Sequence, residues 1–328
     1  MRQAPFEQRY QAEWARFSEQ LSALEKRTPT STLEHSKAFV ASYRRLCQHL
    51  ALAQARGYSP QLIEHLHQLT LRGHQLIYRH PGNIRQRLLG FLLADFPQLV
   101  RAEWRLVAVA SALFYGSLLI MGLLVYYIPD LVYSLLDPAQ VANMESMYRP
   151  DAERIGALPE RASSQDWQMF GYYIRNNIGI AFQTFAGGLL YGLGTLFFLL
   201  FNGLNIGAVA GYLTQLGSGS TFWPFVVGHG AFELTAITLA GSAGLKLGWA
   251  LVAPGRLRRS DALRHAAKPC VGMIAGVFVL LTLAAFVEAY WSSSAALSPT
   301  LKYSAGALLW LAVGGYFGLA GRNRHAPE

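Results

Sequence analysis

The chain predicts an all-α fold: a polytopic transmembrane helical bundle with an N-terminal helical domain. Three observations predict it. Of the 328 residues, 52% are hydrophobic and only 14% charged, where soluble domains carry about 25% charge. The charge is also segregated, with 23 of the 47 charged side chains in residues 1–105 and the longest apolar runs all beyond Arg105. Most of those runs are long enough to cross lipid, because a hydrocarbon core of about 30 Å takes about 20 helical residues.

The net charge of +9, with 15 Lys/Arg against 8 Asp/Glu before residue 106, reads as a basic flank that sets topology and meets anionic lipid. Nucleic-acid binding is not expected, since no base-reading motif accompanies the charge. Cys47 and Cys270 are the only cysteines, one in the basic half and one in an apolar run. Neither a disulfide framework nor a zinc site is expected from them. The N-terminal stretch MRQAPFEQRYQAEW lacks the apolar core of a cleavable signal, which leaves the first span to act as the insertion signal.

Residues 1–80 predict a cytosolic helical domain. Phe6, Tyr10, Trp14, Phe17, Leu21 and Leu24 recur at spacings of three and four, giving an amphipathic helix over 5–27. Packing on neighbouring helices is the preferred use of that stripe, and lying in the membrane interface the alternative. TPTST breaks the helix; a second follows over 33–56 and a third over 60–78, separated by RGYS. His49, His65, His67, His74 and His80 have no close carboxylate pattern and read as surface histidines. After an HPGN turn at 80–83, residues 81–105 form an amphipathic stretch, basic at both ends, expected along the membrane surface as an elbow.

The transmembrane domain, 106–328, has five long apolar runs at about 106–128, 178–201, 224–252, 270–291 and 304–320, plus a short glycine-rich segment at 203–216. Connection 129–175 carries 7 acids and 4 bases and reads as periplasmic, whereas 255–268 carries 5 bases and 1 acid and reads as cytoplasmic. Counting 203–216 as a short or broken helix gives six passes with N- and C-termini cytoplasmic; as a re-entrant loop it gives five and puts a basic segment or the N-terminus outside.

Within PFVVGHGAFELTAITLAG, His229 and Glu233 are the polar pair. With Pro224 as the outer start of its helix, Glu233 lies about 13–14 Å in. His229, Glu233, Ala236, Ala240 and Gly244 share a face that is otherwise small, suited to close helix contact. An ionised carboxylate at that depth costs about 2.5–3.5 kcal/mol, so it has to be neutral, paired or hydrated. Three uses remain open: a hydrogen-bonded lock, which is preferred; a proton- or ion-linked site; and half of a hydrolytic metal site, disfavoured because H-E-x-x-H is missing. No metal or cofactor is expected. Lys246 is too far along the axis to pair with Glu233 and is expected to snorkel. Gly188, Gly192, Gly203, Gly207 and Gly211 supply the partner surface. Asn176 and Asn177 are expected to cap the outer end of their helix or to bind across it, and Asn202, Gly203 and Asn205 to form the inner turn.

The stretches FGYYIRNNIGIAFQTFAGGLLYGLGT, FNGLNIGAVAGYL and GHGAFELTAITLAGSAGLKLG resemble the stage II sporulation protein M (SpoIIM) family, in its longer form of non-sporulating bacteria. FVASYRRLCQHLALAQARG and DFPQLVRAEWR agree with that form's N-terminal region. The resemblance implies a multi-pass protein of the bacterial inner membrane without an assigned catalytic reaction, which in spore formers works in a complex holding cell-wall hydrolases. It places the family's characteristic residues on Asn176, Asn177, Gly188, Gly192, Asn202, Gly203, His229, Gly230 and Glu233. The expected function is a non-catalytic scaffold for envelope proteins, contacting membrane lipids and forming a homodimer through its glycine-rich helices. A transporter or channel built on His229 and Glu233 is the alternative, and an intramembrane hydrolase the third reading.

Overall fold

The computed structural model describes residues 3–25, 33–78, 84–149, 163–294 and 297–322. Among these every element is helical. The expected breaks at 28–32 and 80–83, His80, residues 150–162 of the 129–175 connection and the basic tail beyond Arg322 lie outside the described residues. The chain divides into two compact units, Met1–Arg87 and Leu88–Glu328.

In the first unit, α1 (Gln3–Glu25), α2 (Leu33–Ala55) and α3 (Pro60–Tyr78) pack together. The α1 stripe is used inside the unit: Phe6, Trp14, Phe17 and Leu21 are buried with Leu46, Leu50, Leu62 and Leu66, and Tyr10 and Leu24 pack beside them. That burial takes the apolar face α1 would need to lie in lipid. His65, His67 and His74 are exposed, as expected. His49 is not. Its Nδ1 accepts a hydrogen bond from Trp14 Nε1 at 3.1 Å, and its ring lies 4.1 Å from that of Tyr10 and 5.9 Å from that of Phe6. The sequence hid this because the partners come from a different helix.

Beyond it run α4 (Ile84–Gly90), a π-helical turn over Phe91–Asp95, and α5 (Phe96–Ala102). The α5 end is packed into the second unit. Phe96 is 1% exposed, and a Cβ at Gly276 would stand 2.1 Å from its ring. Gln98 donates to Gly321 O at 2.6 Å and Arg101 to Phe317 O at 2.8 Å. Lys246 forms an ion pair with Glu103. Its amine therefore has a carboxylate at hand instead of having to snorkel, a correction that needed Glu103 to be brought across 143 residues of chain.

The long helices follow as α6 (Trp104–Tyr127), α8 (Ser163–Ala186), α9 (Leu193–Gln215), α10 (Gly219–Val252), α11 (Arg259–Phe286) and α12 (Pro299–Leu319), with α7 (Pro138–Met147) between the first two. Four helical stretches are long and apolar enough to cross a membrane: α6, α9, α10, and α11 with its π-helical continuation to Ser292. Helices α8 and α12 have 24 and 21 residues and are less apolar.

The run expected as one span, 178–201, is broken. Helix α8 ends at Ala186, a short 3-10 turn covers Gly187–Leu189, and Gly192, at φ +86°, starts α9. That φ is left-handed and favours glycine. Residues 203–216 are correspondingly no separate short helix: α9 is continuous over 23 residues. Asn202 and Asn205, expected in a turn, sit inside it, each amide donating to the carbonyl four residues back, Phe198 O at 2.7 Å and Phe201 O at 2.9 Å. Back-bonding of that kind lets a turn-forming residue stay helical. Pro224 is likewise not the start of its helix, since α10 begins at Gly219 and runs 34 residues.

Glycine contacts close the bundle. A Cβ at Gly188 would stand 2.1 Å from Gly244 O, and one at Gly248 would stand 2.4 Å from Gly192 Cα, so the α8–α9 turn lies backbone-on-backbone against α10. Cβ atoms at Gly203, Gly207 and Gly211 would meet Ser117 Oγ, Leu118 O and Gly122 O of α6 at 2.1, 2.3 and 2.2 Å. Helix α10 is central: every residue from Ala236 to Gly244 is buried.

Two predictions follow from this packing. Gly244→Ala should lower the stability of the detergent-solubilised protein by about 1–3 kcal/mol, the usual size of an overpacking penalty. Gly179→Ala, on α8 with nothing within 4 Å of its Cβ, should leave it unchanged or raise it by up to about 1 kcal/mol through helix propensity. Thermal unfolding of the two variants beside the parent checks the opposite signs.

Burial holds the His49 imidazole below its usual value of 6.5, the carboxylate of Glu13 opposing that effect and Arg45 adding to it. The unfolded chain then binds the proton more readily than the fold does, so stability is whole above 6.5 and is lost as pH falls below it. Amide-exchange protection of α1–α3 in the intact protein should decline between pH 7.5 and 5.5, and His49→Gln should flatten that decline.

Candidate functional site

Helix α10 presents His229 and Glu233 one turn apart, and the structure adds a residue that the sequence reading missed. Helix α11 continues as a π-helical stretch, Val287–Ser292, a local widening of the kind often found at functional sites. It carries Glu288 and Ser292 against α10. The close approach is local: a Cβ at Gly228 would stand 2.7 Å from the Trp291 ring. His229 and Glu288 are 5% and 8% exposed.

His229 Nδ1 shares a 3.2 Å hydrogen bond with Ser292 Oγ. The other ring nitrogen, Nε2, faces Glu233 Oε2 at 4.0 Å. That separation is too long for a hydrogen bond, so the expected His229–Glu233 lock is replaced by a His229–Ser292 bond and a longer-range pair. His229, Glu233 and Glu288 each offer a ligand atom, and these three atoms lie within 4.8 Å of one another. Beside them the amine of Lys302, 2% exposed on α12, donates to Ser292 O at 2.7 Å. Helix α12 reaches this position because Gly306 admits Val227, whose Cγ2 would stand 2.6 Å from a Cβ there.

Aromatic rings roof the cluster. Phe225 lies 5.3 Å from the His229 ring, and Tyr148, just after α7, lies 5.8 Å from Phe225 and 5.3 Å from Phe222. Thr221 Oγ1 donates to Tyr148 O and pins the roof to α10. Burial pushes the Tyr148 phenol up, and the nearby Glu288, Tyr173 and Glu233 add to that shift.

The other residues singled out in sequence fall elsewhere. Gly188, Gly192 and Gly244 join at the α8–α9 turn, and Gly203 and Gly207 serve the α6 contact. Gly230 meets only Val226 and Leu234 of its own helix, at 3.7 and 4.0 Å. Asn176 and Asn177 lie inside α8 and cap no end; Asn176 donates to Asn177 Oδ1 at 3.1 Å, and Asn177 Nδ2 is buried without a hydrogen-bond partner among the described residues. Asn176 also lines a groove of about 430 Å³ with Tyr172, Arg175 and Gln183.

Glu288 escaped because AAFVEAYWSSS looks like the ordinary polar end of an apolar run, 55 residues from Glu233. A second intramembrane acid was the only available signal. Chemically, one imidazole nitrogen and two carboxylates converge beneath aromatic rings, with His229 and Glu288 buried. Such a set can hold protons or a cation.

A family model described as a domain of unknown function, DUF8413, matches residues 4–79, within the first unit. A protein of Methanocaldococcus jannaschii described as uncharacterised is 26% identical over 123 residues, 37% of this chain and 69% of that protein. No solved structure matches the chain. A family model described as stage II sporulation protein M matches residues 110–293, more than half of the chain and inclusive of His229, Glu233, Glu288 and Ser292. The chain belongs to the stage II sporulation protein M family.

Proposed function

We propose that the protein is a non-catalytic, multi-pass scaffold of the bacterial inner membrane that assembles envelope or cell-wall proteins. The observation that carries this reading is the backbone-on-backbone closure of α10 with the α8–α9 turn and of α9 with α6. Helices joined through glycine at that range have one arrangement, because a shifted register drives a side chain into a main chain. A rigid bundle suits a platform better than an alternating-access carrier.

In this reading six helices cross: α6, α8, α9, α10, α11 and α12. The acidic 129–162 connection is periplasmic, and the 187–192 turn, the basic 255–268 stretch and both termini are cytoplasmic. The charge pattern supports this even though the break has moved from 202–205 to 187–192. The His229 cluster then lies in the periplasmic half of the bundle, roofed by Tyr148. Leu119, Ile120 and Leu123 of α6 are 59–61% exposed and face lipid. The elbow lies at the cytoplasmic surface with Ile84, Leu88 and Leu93 turned outward. Homodimerisation belongs to the same reading but has to use another face, since Gly203, Gly207 and Gly211 are spent on α6.

The second reading, a proton- or ion-linked transporter, draws on the convergence of His229, Glu233 and Glu288. Purified protein in liposomes distinguishes the two. A scaffold leaves proton and sodium leak at the level of empty vesicles, while Gly207→Leu strips copurifying envelope proteins from native membranes. A flux abolished by Glu233→Gln would replace the scaffold reading with the transporter.

A further inference from the structure

The geometry points to a divalent transition-metal site formed by His229 Nε2 and one carboxylate oxygen each of Glu233 and Glu288. One ligand atom of each residue, from α10 and from the π-helical turn after α11, already lies within 4.8 Å of the other two. Ligand atoms bonded at about 2.0–2.2 Å to a shared tetrahedral ion stand roughly 3.3 Å apart. His229 Nε2 and Glu233 Oε2, at 4.0 Å, come near this separation. One imidazole and two carboxylates form a nitrogen–oxygen donor set that suits zinc, iron or manganese.

Two features around the cluster support the assignment. The Ser292 bond to His229 Nδ1 orients the ring with Nε2 toward the carboxylates, as hydrogen-bonded partners of ligating histidines do. Ser292 is itself held by Lys302, which donates to its carbonyl at 2.7 Å. Charge supplies the second argument. Two carboxylate groups brought to one buried point beside an imidazole attract a divalent cation more strongly than a monovalent one. Three protein ligands leave a fourth position for water or a small oxygen donor. The ion would clamp the π-helical turn to α10, which extends the scaffold reading and does not depend on it: metal is scored by binding, scaffolding by copurification and leak.

The test uses the full-length protein in detergent, stripped with chelator and titrated with zinc and cobalt. The parent should bind about one ion per chain, and the cobalt form should show visible bands and an absorption fine structure with nitrogen and oxygen neighbours, including one imidazole. Glu288→Gln and His229→Ala should each weaken zinc binding at least tenfold, the scale on which even outer-shell changes act. Glu145→Gln, on α7 and bonded to Tyr212, should not. Stripping the parent should lower its melting temperature. Should a variant fail to fold, the parent's stoichiometry and spectrum still decide. A folded parent that binds neither ion, a spectrum without imidazole, or a folded Glu288→Gln with undiminished affinity would overturn the assignment.

Discussion

Everything in the membrane unit depends on how closely α10 lets other backbones approach. Gly244 and Gly248 face Gly188 and Gly192 with no side chain between them, and this contact holds the α8–α9 turn in place. Lipid tails are as apolar as leucine, so burial gives helices no hydrophobic reason to associate there. Shape has to supply the affinity, through dispersion over a close-fitting surface. Glycine concentrates that surface where it is needed, and the same device recurs at Gly228 under Trp291 and at Gly306 under Val227. These two approaches bring Glu288, Ser292 and Lys302 to His229. The polar cluster is therefore a consequence of small-residue packing.

The polar groups in turn explain why the central helix can be buried so completely. Thr195 donates to Thr184 O at 2.7 Å across the turn, and Ser242 to Leu239 O at 2.8 Å. Inside a bilayer an unmet polar group costs several kcal/mol. Local bonds of this sort satisfy most of them within their own helix or the next. His229, Glu233 and Glu288 also bring one ligand atom each within 4.8 Å of one another.

Much of this was legible in the sequence, and the gaps have physical causes. The α1 stripe, the bounds of α3 and the small face from Ala236 to Gly244 emerged from periodicity, which reports local geometry directly. The break at 187–192 did not, because hydropathy averages composition and GGLLYGLG is as apolar as a span; the positive φ of Tyr191 and Gly192 marks it in the structure. Asn202 and Asn205 resembled a turn because the chemistry that makes turns also permits back-bonding within a helix. Glu288, the Ser292 bond and the Glu103–Lys246 pair each join residues more than 50 positions apart, beyond any local pattern. The face assigned in sequence to a second copy is occupied inside the chain for the same reason: spacing identifies a contact surface but not its partner.

The closure of the bundle around α10 can be measured directly by cross-linking. A Cβ at Gly241 would stand 3.0 Å from Leu199 Cγ, so cysteines at these two positions lie within disulfide reach. In a background without Cys47 and Cys270, mild oxidation of native membranes should protect both thiols of the Leu199→Cys, Gly241→Cys protein from maleimide while it still migrates as a monomer. Thiols that stay reactive, or a cross-link that appears only between two chains, would contradict the packing from which the rest is argued.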